Sequence, residues 1–139
     1  MEAYQKTKPY NPGIQVQAMR ARYPEFTFKK SNDGDIVFTG KLQVKPELPV
    51  YTVQVVYRGS SRPRVFILDP IPVDGAPHIF PGSGSLCLYH SDNYKWTESK
   101  LIAHDIMGWT AGWIYFYEYW LQNNHEWIGP EIPHGPLPL

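Results

Sequence analysis

A chain of 139 residues has the length of one ordinary domain and can bury roughly two thirds of the surface its unfolded form exposes, so one core is expected across residues 1–139. With 42% hydrophobic and 15% aromatic residues against 19% charged ones, the composition speaks against disorder. Thirteen basic residues balance thirteen acidic ones, which leaves no net field to gather nucleic acid or an anionic membrane surface; neither is expected as a partner.

In chain order, the first residues Met1-Glu2-Ala3-Tyr4-Gln5 are polar, and no apolar run has the length of a signal peptide or a membrane span. Asn11-Pro12 then reads as a helix start, because asparagine caps free amides and proline tolerates the first helical position. The helix should run to about Arg22 with Val16, Met19 and Tyr23 on one face, and Pro24 should stop it. Four strands are expected next. They are Glu25 to Lys30 with Phe26 and Phe28 alternating, a second with Ile36, Phe38, Leu42 and Val44 after the turn Ser31-Asn32-Asp33-Gly34, Val50 to Tyr57, and Arg64 to Leu68. Short connections between them predict an antiparallel meander that needs a cover on one face.

From Asp69 to Ser85 the periodicity disappears while proline and glycine recur, and a loop of that length inside a compact domain tends to be functional. Beyond Trp96 a helical stripe returns in Ile102, Ile106, Trp109, Trp113, Phe116 and Trp120. Gly108 and Gly112 weaken its first half, so a short turn is expected near Thr97 to His104 and the main helix from about Ile106 to Gln122, covering the sheet. The stripe reads as core, with Tyr119 and Trp127 left over for a docking surface. Residues 128–139 form a proline-rich tail.

The chain has one cysteine, Cys87, which cannot close an internal disulfide and fits a reducing, cytoplasmic setting. Set between two leucines, such a residue is ordinarily buried filler. Here it ends the segment Pro77-His78-Ile79-Phe80-Pro81-Gly82-Ser83-Gly84-Ser85-Leu86-Cys87, nine positions after His78 and nine before Trp96. A phosphate cradle at Gly82-Ser83-Gly84 is rejected, since no lysine or helix start follows. The histidines and the cysteine match no zinc spacing, which predicts neither a metal nor a cofactor.

This segment, with Trp96 and the helix behind it, resembles the ubiquitin-conjugating enzymes, in which a His-Pro-Asn tripeptide leads through a glycine-bearing turn to Gly-x-Leu/Ile-Cys-Leu. Trp113, Tyr117-Glu118-Tyr119-Trp120 and Trp127-Ile128-Gly129-Pro130-Glu131 with His134 are similar to a bacterial branch of that fold found in CBASS anti-phage operons. The resemblance implies an α+β fold of the ubiquitin-conjugating (UBC) type: N-terminal helix, four-stranded antiparallel meander, long loop carrying Cys87, and C-terminal helix on the sheet. It implies that Cys87 accepts an acyl group as a thioester, that His78 organises the loop, and that His90 or His134 positions an incoming nucleophile or shares its proton. The implied acyl donor is the C-terminus of a cGAS/DncV-like nucleotidyltransferase, and without a nucleotide-binding loop here, activation would fall to a separate adenylating enzyme.

The chain departs from the tripeptide at Ile79-Phe80, where the family has Pro-Asn; losing one oxyanion donor of that kind costs about 3 kcal/mol in a transition state, which bears on lysine transfer. Two other readings accommodate the same residues: a Cys-His hydrolase of an isopeptide or thioester, and a binding module of this fold without activity. The acyl-carrier reading expects the Cys87 sulfur to be reachable from solvent.

Overall fold

The computed structural model describes residues 12–59, 61–89 and 94–131. Alternation sets up its sheet. In β3 (Tyr51–Arg58), Tyr51, Val53, Val55 and Tyr57 are buried while Thr52, Gln54 and Val56 between them are only partly covered. β2 (Ile36–Leu42) and β4 (Ser61–Asp69) flank it, β1 (Thr27–Lys30) lies outside β2, and all neighbours are antiparallel in chain order. This is the expected meander. Register pairs Phe38 with Val55 and Val55 with Val65, so one face collects the aliphatic core.

The turn between β1 and β2 closes as the sequence implies, with the Gly34 amide donating to the Ser31 carbonyl at 3.0 Å and Gly34 at a φ of 88° that favours glycine. Beside it, Arg58 grips Asp35 through both carboxylate oxygens at 2.6 and 2.7 Å, and that hydrogen bonding holds the Asp35 carboxyl below the ordinary carboxylate range.

The first strand is shorter than its alternation predicts. Phe26 is buried ahead of Thr27 rather than within the strand, with its ring against Gly40, where a Cβ would stand 2.4 Å from ring carbons. Phe28 pairs with the buried Phe38 yet remains 47% exposed, since β1 is an edge strand whose residues are all exposed.

The first helix, α1 (Pro12–Arg22), has the predicted extent; its Asn11 cap lies outside the described residues. Met19 is buried and Val16 and Tyr23 pack at the edge of the core, as read from the spacing. Gln15 is the unforeseen member. Fully buried, it donates to the Lys100 carbonyl at 2.7 Å and accepts from the Ile102 amide at 3.0 Å, pinning the helix to the segment that leads into the second helical region.

That region opens with a π-helical turn, Ile102–Ile106, and continues as α2 (Met107–Gln122). Ile102, Ile106, Trp113 and Trp120 are buried as the stripe predicts, but Trp109 and Phe116 are only partly so, and Thr110, Ile114, Tyr117 and Glu118 join the core. At 3.6 residues per turn, Trp109 and Phe116 fall roughly a quarter to a third of a turn from the centre of the buried face, and Gly112 lies further round still. Glu118 is reached by the Tyr51 hydroxyl, whose proton is held far above the ordinary phenol range by burial and by that carboxylate. Trp96 donates its indole N–H to the Gly59 carbonyl at 3.0 Å and meets Tyr57 edge-on. No helix among the described residues is long and apolar enough to cross a membrane.

Candidate functional site

The loop before Cys87 folds into a small hairpin of its own. Ile79 and Leu86 bridge antiparallel, the Phe80 amide donates to the Ser85 carbonyl at 2.9 Å, and the Cys87 amide donates to the His78 carbonyl at 2.8 Å. Gly84, at a φ of 80°, closes its tip by donating to the Phe80 carbonyl at 2.8 Å, so Gly82-Ser83-Gly84 serves a tight turn. A bond from the Leu86 amide to the Val65 carbonyl at 2.8 Å moors the hairpin to β4.

His78 holds a φ of 59°, left-handed backbone that costs a non-glycine residue about 1–3 kcal/mol and in which histidine is over-represented. Neighbouring bonds hold it there. The Trp113 indole donates to the Pro77 carbonyl at 3.0 Å on one side, and the Cys87 amide takes the His78 carbonyl on the other. The imidazole is buried, tilted against the Trp127 ring at 4.8 Å, with Nε2 3.7 Å from a Glu131 carboxylate oxygen.

Where the hairpin meets α2 there is an apolar cleft of about 60 Å³. The hairpin supplies His78, Cys87 and Leu88, the flank of α2 supplies Trp109, Gly112, Trp113 and Phe116, and the chain after α2 supplies Trp127 and Pro130. Its volume admits a few waters or a slender chain end. Cys87 lines it, but the residue is 1% exposed, so the expected solvent-reachable sulfur is not what the structure holds. The reason is that the loop end is not free: the hairpin docks against α2, and Trp127 and Pro130 line the same cleft.

Burial pushes the thiol above its ordinary pKa, and the positive charge of Arg62 opposes that. Arg62 is held beside the loop by two rings, its guanidinium carbon 4.9 Å from the centre of Tyr89 and 5.5 Å from that of Phe80. Two of the sequence-predicted residues, Cys87 and His78, therefore share one cleft. His90 and His134 lie outside the described residues. No group of three or more His, Cys, Asp or Glu side chains able to hold a metal ion occurs among the described residues.

Sequence reasoning missed the aromatic walls, because it assigned the whole stripe of α2 to the core, and it missed Arg62 altogether. A signal for the walls was available in Gly112. A glycine inside a helix costs about 0.5–1 kcal/mol relative to alanine, and here it borders the cleft with only the tip of Phe116, at 4.0 Å, near the place of a Cβ.

The family model for Type II CBASS E2 proteins matches residues 15–135. The chain belongs to that family. As a CBASS E2 protein it has the α+β layout consistent with a UBC-like fold: N-terminal helix, four-stranded antiparallel sheet and C-terminal helix. The matched span runs from within α1 to beyond Pro130, so it includes the hairpin with Cys87 and every wall of the cleft. Membership gives this CBASS E2 protein an E2-like role among the other proteins of an anti-phage operon. No curated protein matches the chain.

Proposed function

We propose that Cys87 accepts the C-terminal carboxyl of a partner protein as a thioester, and that the partner is the cGAS/DncV-like nucleotidyltransferase of the same CBASS system. The reading rests on one observation above all: in a chain of the CBASS E2 family, the sole sulfhydryl lines an apolar cleft behind a strained, well-braced hairpin. A thiolate is a strong nucleophile, and the thioester it forms remains activated toward a later amine or water.

In the step itself the sulfur attacks an activated carboxyl carbon. The C–S bond forms, the bond to the leaving group breaks, and the thiol proton passes to water. The leaving group is an adenylate or an activating enzyme's own thiol, so a separate activating protein provides the energy. His78 organises the loop through its carbonyl, while His90 and His134 are the side chains proposed to position the next nucleophile. Residues 1–139 act as one domain in the cytoplasm.

Co-expression with the operon partners, followed by a non-reducing gel, tests this reading. Wild-type protein should give a thiol-sensitive band of the combined size, absent in Cys87→Ala. A cleaved partner without a band would favour a hydrolase, and unchanged partner binding and function in Cys87→Ala would favour an inactive binding module.

A further inference from the structure

Residues 123–131, which follow α2, do not leave the molecule. Asn124 and His125 both take left-handed backbone, at φ of 55° and 61°, which turns the chain back toward α2, and the His125 ring stacks on Trp120 at 4.0 Å to anchor the reversal. Trp127 then lies against His78 at 4.8 Å and Phe116 at 5.7 Å, and its indole N–H donates to the Pro130 carbonyl at 3.0 Å. At Gly129 the backbone rests so closely on the Phe116 ring that a Cβ would come within 2.6 Å of it.

These contacts are all made by side chains or by close packing. Among the described residues no backbone hydrogen bond ties residues 127–131 to a helix, a strand or the Cys87 hairpin. A segment held in that way opens at lower free energy than one laced into a sheet. Its Trp127 and Pro130 also line the same cleft as Cys87, which is 1% exposed.

We propose that residues 127–131 form a strap that closes the mouth of the Cys87 cleft, and that an acyl-donor chain reaches the sulfur only by displacing it. The first half stands on the packing alone; the second rests on the thioester reading above. Leu88, Trp109, Trp113 and Phe116 wall the cleft and no lysine or arginine lines it, so the chain end that takes the strap's place is extended and uncharged near its terminus. The strap thereby slows the reaction of the unloaded enzyme with small electrophiles and couples access to partner binding.

Because the chain has one cysteine, the full-length protein reports on the strap through its reaction with the aromatic disulfide DTNB, each attack releasing one coloured thiolate. Trp127→Ala removes the contact with His78, and Gly129→Val drives the backbone off Phe116. Each should speed the reaction at least about tenfold over wild type, with circular dichroism and melting temperature showing an intact fold. Val50→Ser, at a residue 45% exposed ahead of β3 and outside the cleft, should leave the rate unchanged. Wild-type rates in the folded strap variants would overturn the proposal, and should one variant fail to fold, the other decides alone. Since the probe needs no partner, faster reaction with no thioester in co-expression would sink the acyl-carrier reading and leave the strap standing. Flat rates with a thioester present would do the reverse.

Discussion

At the scale of single residues, the chemistry turns on how a buried sulfur is kept usable. Burial favours the neutral thiol, and the group that opposes that tendency is Arg62, a guanidinium clamped over Tyr89 and Phe80 rather than hydrogen-bonded to the sulfur. Alkylation of Cys87 should therefore rise with pH through and beyond the ordinary thiol range, as the thiolate fraction grows. Arg62→Gln withdraws the cation, favours the neutral form further and moves the profile to higher pH, slowing alkylation at pH 8 by roughly two- to fivefold. The gap should narrow in high salt, because Arg62 is exposed and its field is screened. Iodoacetamide kinetics across pH measure this, and superimposable profiles for the two proteins would remove Arg62 from the account.

At the scale of elements, the sheet was legible in the sequence because period-two alternation and burial coincide in β3, and the turn at Gly34 announces itself by residue type. What was not legible depends on contacts across the chain. Gln15 reads as a surface residue of a short helix until Lys100 and Ile102, far along the sequence, turn out to need its amide. Phe26 was assigned to a strand because it alternates with Phe28, whereas its ring needs the bare backbone of Gly40 on the neighbouring strand. Gly40→Ala should accordingly cost about 1–3 kcal/mol in urea unfolding, since the added methyl meets both the ring and the backbone of Phe26. A loss below a few tenths would show that Phe26 relocates freely. The two faces of α2 were merged in the sequence pattern for a similar reason: aromatic spacing marks a burying face but does not distinguish a sheet from a cleft wall.

At the scale of the whole molecule, three separate stretches meet at one place. The hairpin brings Cys87, α2 brings the aromatic wall, and the chain beyond α2 returns to complete the cleft. The resemblance carried by the segment around Cys87 pointed to the first of these, and the family match covers all three. The strap was invisible in sequence, where Gly129 and Pro130 look like part of a proline-rich tail and Trp127 like a docking residue; only the reversal at Asn124 and His125 brings them back. The proposed function requires that this assembly carry an acyl group on its one sulfur. Intact mass of the protein isolated from cells that hold its operon partners, compared before and after a thiol reductant or hydroxylamine, measures that directly. The account predicts an added mass equal to the nucleotidyltransferase less one water, lost on treatment and absent from Cys87→Ala; an adduct that survives in Cys87→Ala, or unmodified protein under conditions where phage defence is active, would contradict it.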